Sequence, residues 1–491
     1  MASMKSLAKD TAIYGLSSIV GRFLNYLLVP LYTHVIAASS GGYGVVTNLY
    51  AYVALILVLL TFGMETTFFR FANKEEENPH SVFFTSISIV GVLSAVFLAL
   101  VFSCIDPIAG ALHYTDHKEY IEMMAVVVAL DAVQAIPFSY LRYKQKAMKF
   151  ASLKLLFIVL NIGLNLLYFL FLGRDDVFYV FFLNLVCTGF ITFFFIPELW
   201  EEYKYLKSTN FQFPIFNYQL CRRMLSYSWP ILVLGIAGIL NQTADKMLFP
   251  IIYPDKTQGV VELGIYGACA KIAMIMAMIT QAFRYAYEPI VFAKAKDNDK
   301  TEYYAQAMKF FIIFTLFAFL CVVGYMPILE HILGSEYRVG LKVVPIVMVA
   351  EIMMGVYFNL SFWYKLIDRT IWGAWFSLAG CAVLIAVNVI FIPQYSYMAC
   401  AWGGVAGYGT AMTLSYFVGQ KKYPIAYDIK GISKYVVFTI CFYYAMELAT
   451  RIPQVWLQLL CNTILIVAYL ILVVKNDVPL SSLPVIGKKF R

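Results

Sequence analysis

The stretch GYGVVTNLYAYVALILVLLTFGMETTFFRF, residues 42–71, decides the fold. At 1.5 Å per residue such an apolar run is long enough to cross the ~30 Å hydrocarbon core of a bilayer. Its pattern then returns 223 residues later. Gly42-Tyr43-Gly44-Val45 is echoed by Ile265-Tyr266-Gly267-Ala268, and at the same offset Ile56 meets Ile279, Glu65 meets Glu288, Phe69 meets Phe292 and Ala72 meets Ala295. The stretch is therefore one membrane segment of a repeated set.

Working outward, apolar segments fall near 10–37, 42–71, 81–104, 118–141, 152–172 and 177–198, then near 222–253, 260–292, 304–327, 339–364, 371–391 and 398–420, with two more near 431–450 and 454–474. The expected fold is an all-α integral membrane protein of about 14 transmembrane helices. Composition agrees, since 61% of residues are hydrophobic, 13% are charged and the mean hydropathy is +0.74, which leaves no room for a large soluble domain. The opening residues Met1 to Leu7 offer no small-residue cleavage site, so the first segment is expected to stay in the mature protein. Nine cysteines lie mostly inside apolar runs without a Cys-x-x-Cys pair and read as small buried hydrophobes.

At an offset of 220, Pro30 meets Pro250, Asp131 meets Glu351 and Phe138 meets Phe358. The near-constant offset over three helix pairs, with carboxylate on carboxylate, implies two parallel six-helix repeats related by an axis along the membrane normal. Residues 1–205 and 206–425 would form the two lobes, and residues 426–491 an extra helix pair with a tail. With alternate loops assigned to opposite sides, one side holds six basic residues and the other, with both termini, 26 of the 37. The positive-inside rule then places both termini in the cytoplasm and accounts for most of the net charge of +8 without nucleic acid.

Ionisable groups inside the segments mark where function lies, because a charge facing lipid is costly. Nine of them (Arg22, Glu65, Asp131, Asp245, Lys246, Lys271, Arg284, Glu288 and Glu351) at about 3 kcal/mol each would cost on the order of 25 kcal/mol at the bilayer centre, more than most domains can bear. They require a polar interior. Tyr14, Ser18, Arg22, Asn25 and Tyr32 form one stripe of the first segment. Gly235, Gly238, Asn241, Gln242 and Asp245 repeat that logic in the seventh, where Asp245 either lines a cavity or pairs with Lys246 or Lys271. In the eighth, Lys271, Gln281, Arg284, Tyr285 and Glu288 share an arc of about 140°. Arg284 and Glu288, four apart, suit a local salt bridge. Asp131 and Glu351, at equivalent depths, are either buried hydrogen-bonding groups or acceptors of a coupling ion.

Other signals exclude more than they assign. His113 and His117 read as solvated loop residues, so no metal site is expected. No Gly-x-x-x-x-Gly-Lys-Ser/Thr loop is present to bind ATP, no other cofactor is indicated, and external loops of about 15 residues at most leave little room for a catalytic domain.

Gly21-Arg22-Phe23-Leu24, Leu28-Val29-Pro30-Leu31, Gly42-Tyr43-Gly44, Asn241-Gln242-Thr243-Ala244-Asp245-Lys246 and Gly264-Ile265-Tyr266-Gly267 resemble the O-antigen-type polysaccharide-biosynthesis flippases of the multidrug/oligosaccharidyl-lipid/polysaccharide superfamily. The resemblance implies MATE-like lobes around a central cavity and alternating access. It implies transfer of undecaprenyl-diphosphate-linked oligosaccharide from the inner to the outer leaflet of a bacterial plasma membrane, without enzymatic catalysis. Basic cavity residues would hold the diphosphate, a role falling to Arg22 and Lys271, with Asn25, Gln242, Asp245, Lys246 and Arg284 as further substrate-binding candidates. Asp131 and Glu351 are the candidates for coupling to H+ or Na+. Glycan polymerases or glycosyltransferases would be partners. A MATE-type drug/cation antiporter is the alternative, and a membrane glycan polymerase or ligase is disfavoured by the short loops.

Overall fold

The structure is a computed structural model that describes residues 26–74, 77–208, 218–293, 300–367 and 369–477. Among these, eleven helices are long and apolar enough to cross a membrane, or twelve if one bent pair counts as a single span. The protein is an all-α, multi-pass membrane protein. We number the principal helices α1 (Leu28–Val35), α2 (Gly42–Thr61), α3 (Met64–Ala72), α4 (Pro79–Ser103), α5 (Lys118–Tyr143), α6 (Ala147–Leu166), α7 (Phe178–Phe193), α8 (Ile196–Ser208) and α9 (Tyr218–Ile252). There follow α10 (Lys256–Ala273), α11 (Ile275–Ala293), α12 (Lys300–Gly324), α13 (Val344–Leu360), α14 (Phe362–Leu366), α15 (Ile371–Tyr395), α16 (Tyr397–Lys422), α17 (Ile429–Ala449) and α18 (Val455–Asn476).

Two segments expected to be continuous are interrupted. The stretch that opened the sequence forms α2 and α3, separated by Phe62 and Gly63, both in the left-handed region with φ of 48° and 67°. Only glycine adopts that region without steric cost, which is why Gly63 sits at the break. A side chain there would also strike Ile231 of α9, 2.9 Å from an ideal Cβ. The expected 260–292 helix is likewise two helices, α10 and α11, bent by 42°.

The chain divides into two compact units, Met1–Ala268 with Leu384–Cys400, and Cys269–Val383 with Ala401–Arg491. In the first, α2 packs along α9 and on α5, and α5 lies against α4 and α7. Met64, Phe68, Phe83, Val128, Ile136 and Met224 are fully enclosed there. The glycine motif at the start of α2 presses against α10, which carries the second copy of the motif at 265–268. An ideal Cβ on Gly44 would lie 1.8 Å from the carbonyl oxygen of Val260, and one on Gly264 would lie 2.9 Å from the Gly44 nitrogen. Small residues permit such backbone contact inside a membrane, where apolar burial does not drive helices together. Polar staples complete the packing. Asn48 Nδ2 donates to the Lys246 carbonyl at 2.8 Å, Tyr114 donates to Asn48 Oδ1 at 3.0 Å, and Gln134 donates to Thr192 at 2.8 Å. The amphipathic α8 is held by its buried glutamates: Lys149 donates to Glu198 at 2.6 Å, and Tyr140 and His80 both bond Glu202.

In the second unit α12 is the hub, packed on α13, α17 and α18. The last two are the helices expected near 431–450 and 454–474. Asn462 Nδ2 donates to the carbonyl of Gly324 at 2.8 Å, Tyr469 to the carbonyl of Ile313 at 3.1 Å, and Lys309 Nζ to Asp428 at 2.7 Å and to Asp477. Asp428 also caps α17 by accepting from the Gly431 nitrogen. The hydrogen bond from Lys309 holds its carboxyl below the usual carboxylate range.

Candidate functional site

Most of the first-segment stripe lies outside the described residues, including Arg22 and Asn25. Its last member, Tyr32, is buried and donates to Asn165 Oδ1 of α6 at 2.8 Å, and Asn165 in turn donates to Asn161 Oδ1 at 2.7 Å. At Tyr32 the stripe faces protein.

The stripe of α9 is described in full. Asp245 is only 6% exposed. Lys246 Nζ donates to its two oxygens at 3.0 and 3.1 Å and to the Gln242 carbonyl at 2.9 Å, while Tyr266 Oη donates to Oδ2 at 2.7 Å. A buried carboxylate left without such donors is costly. Of the two readings open for Asp245, the geometry gives pairing with Lys246, and it adds Tyr266 of the repeated motif as a second donor. Gln242 is exposed. Its neighbour Asn241 turns back on its own helix, donating to the Ala237 carbonyl at 2.8 Å.

The eighth-segment arc is split by the bend, so Lys271 sits in the last turn of α10 and Arg284 in α11. An ammonium near a helix C-terminus is favoured by the helix dipole. Arg284 and Glu288 form the i,i+4 pair read from their spacing, with Nε 3.5 Å from Oε2. The closer partner of Glu288 is Lys365 of α14, at 2.8 Å. Arg284 and Lys365, with Thr280, Phe283, Tyr287, Gly355, Phe358, Asn359, Ser361 and Phe362, line a small, partly open cleft. Two cations therefore share one carboxylate, flanked by aromatic faces and hydroxyl and amide groups.

Asp131, part-buried on α5, has Lys154 of α6 as its charged neighbour. Glu351 lies part-buried on α13 and, like Lys271, is engaged by other residues. Glu65 is bonded by Arg142 Nη2 at 3.2 Å, and the Arg142 guanidinium lies 4.9 Å from the ring centre of Phe69. Lys154, Lys365 and Tyr266 were not singled out as site residues in the sequence. Lys154 and Lys365 fall near segment ends, where a lysine normally reaches out to the interface, and their partners lie on other helices. Among the described residues no cluster of His, Cys, Asp and Glu is arranged to hold a metal.

The family of polysaccharide biosynthesis proteins matches residues 7–293, more than half of the chain. The chain belongs to this family. Among solved structures, a lipid II flippase, MurJ, in an inward closed conformation is similar over 94% of this chain and 98% of its own, with a TM-score of 0.71 and 14% identity. An inward-facing MATE multidrug resistance transporter of the MOP superfamily is similar over 84% and 96%, with a TM-score of 0.64 and 13% identity. The MATE multidrug transporter DinF-BH covers 86% and 97%, at 0.59 and 16%. At such identities the likeness is one of fold. No sequence among the curated proteins matches the chain.

Proposed function

We propose that the protein flips undecaprenyl-diphosphate-linked oligosaccharide from the cytoplasmic to the outer leaflet of a bacterial plasma membrane by alternating access. The observation that carries this reading is membership of a polysaccharide biosynthesis family by a chain with a transporter fold. The charged groups inside the spans support it, because a polar interior is what a diphosphate and sugars need to cross hydrocarbon. A MATE-type drug/cation antiporter is the second reading, favoured by the shared fold. Helices α17 and α18 favour the flippase, since drug exporters of the superfamily typically have twelve spans and the lipid II flippase covers more of this chain. Deleting the gene distinguishes the two. Accumulation of lipid-linked repeat units on the cytoplasmic leaflet with unchanged tolerance of cationic dyes is expected, and the reverse outcome favours the antiporter.

In this reading α16 and the segment near 10–37 bring the spans to fourteen, in two six-helix lobes, residues 1–205 and 206–425, with residues 426–491 beyond them. Both termini are cytoplasmic, from the 26-to-six division of basic residues. An impermeant thiol reagent is expected to leave a cysteine at Lys488 unlabelled from outside intact cells and to label one at Lys256. Labelling at Lys488 would overturn the orientation.

The diphosphate falls to Arg22 and Lys271, with Asn25, Gln242, Asp245, Lys246 and Arg284 as further substrate-binding residues. Coupling to H+ or Na+, if present, falls to Asp131 and Glu351, which the repeat places at equivalent positions. In sealed vesicles with the potential clamped at zero, Asp131→Asn with Glu351→Gln should abolish transport driven by a pH gradient while substrate still binds. Unchanged transport would make both residues buried hydrogen-bonding groups. The clamp matters because one charge moved across 100 mV is worth about 2.3 kcal/mol.

A further inference from the structure

The two halves of the repeat carry the same charged assembly. In the first unit Arg142 bonds Glu65 at 3.2 Å, and in the second Lys365 bonds Glu288 at 2.8 Å. Both partners are related by the offset of 223, the same one that relates the glycine motifs. Each unit adds a second cation over an aromatic face. Lys154 Nζ stands 3.9 Å from the ring centre of Phe138, and the Arg284 guanidinium 5.3 Å from that of Phe358. Phe138 and Phe358 are themselves related by the offset of 220, as are Asp131 beside Lys154 and Glu351. The second cation comes from a different helix in each half, α6 in the first and α11 in the second, yet it meets the equivalent ring. The two halves thus reach one arrangement of charge from non-equivalent positions, which a purely structural salt bridge does not require.

The carboxylates do not consume these cations. Glu288 is shared between Lys365 and Arg284. Lys154 has Asp131, Glu65 and the like-charged Arg142 as charged neighbours but makes no hydrogen bond or ion pair among the described residues. The cavity of the second unit supplies an independent sign of a ligand. Thr280, 2% exposed, lines it with a buried hydroxyl that has no hydrogen-bond partner among the described residues. Two cations, an unpaired hydroxyl and an aromatic wall call for an anion rich in acceptor oxygens, and phosphate oxygens meet that description.

We propose that Lys154 with Arg142, and Arg284 with Lys365, form two matched phosphate-binding stations, one in each unit, that hold phosphate oxygens of the lipid-linked substrate. This rests on the flippase reading. A phosphate on a bilayer lipid presents the same chemistry, so the test has two arms. Wild-type protein, Lys154→Met, Lys154→Arg, Arg284→Met and the Lys154→Met/Arg284→Met double variant are placed in nanodiscs of zwitterionic lipid, with the melting temperature as a control for folding. Lys154→Gln replaces Lys154→Met if the latter does not fold. Binding of undecaprenyl diphosphate and of phosphatidylglycerol is measured separately. Undecaprenyl diphosphate affinity should fall about tenfold in each neutralised variant and further in the double, with Lys154→Arg retaining most of it. Phosphatidylglycerol binding should be unchanged. Wild-type affinity for the diphosphate in a Lys154→Met protein that melts like wild type would overturn the station in the first unit. A loss confined to phosphatidylglycerol would reassign both stations to bilayer lipid and overturn the proposal. Wild-type protein that binds no diphosphate and exports organic cations would remove the flippase reading itself, a failure separate from that of Lys154.

Discussion

Gly44→Ala is expected to abolish folded protein. The added methyl would sit 1.8 Å from the carbonyl oxygen of Val260, an atom of the α10 backbone that cannot swing aside as a side chain can. Overpacking ordinarily costs about 1–3 kcal/mol, and displacing a whole helix costs more. Against a total stability of about 5–15 kcal/mol, that is enough to unfold the unit. Gly91→Ala of α4 is the control, because nothing lies within 4 Å of its ideal Cβ. Replacing a helix-interior glycine there should leave stability unchanged or raise it by up to about 1 kcal/mol. Size-exclusion profiles and melting temperatures of detergent-solubilised protein check both variants. Gly44→Ala protein that melts like wild type would mean that α2 and α10 do not meet at their glycines.

Arg22→Ala is expected to abolish export while leaving expression and insertion near normal. A guanidinium near mid-span is kept there for charge-assisted bonds rather than for apolar packing, and its loss removes a bidentate partner for a diphosphate. Arg22→Lys, which keeps the charge but not the fork, should retain partial function. Arg22 itself lies outside the described residues, so the expectation stands on its place in the stripe that ends at Tyr32. Export at the wild-type level by Arg22→Ala would leave Arg22 a structural ion-pair residue.

Much of this fold is legible in the sequence because the bilayer imposes one strong rule, that a span be long, apolar and internally hydrogen-bonded. The segments expected near 118–141, 371–391 and 454–474 are found at Lys118–Tyr143, Ile371–Tyr395 and Val455–Asn476. Breaks within a span carry no such signal. Neither the turn at Phe62–Gly63 nor the bend before Ile275 contains proline. Sites are legible only where partners share a helix. The Arg284–Glu288 spacing announces its own bridge, as does the Asp245–Lys246 pair. The stronger bond from Lys365 to Glu288 spans 77 residues, and Tyr266 reaches Asp245 from another helix. Helical periodicity cannot anticipate either. The repeat can in part: once Arg142 is seen on Glu65, the offset of 223 points to Lys365 on Glu288.

The central claim is that this protein moves lipid-linked oligosaccharide between leaflets. Its most direct test is purified protein reconstituted into vesicles with fluorescent undecaprenyl-diphosphate oligosaccharide, followed by the fraction of substrate accessible to an impermeant quencher or glycan-cleaving enzyme outside. The account predicts that wild-type protein makes substrate in the inner leaflet accessible within minutes, and that Arg22→Ala vesicles match protein-free ones. Wild-type vesicles that protect the inner-leaflet substrate as fully as protein-free vesicles, while transporting an organic cation, would contradict it.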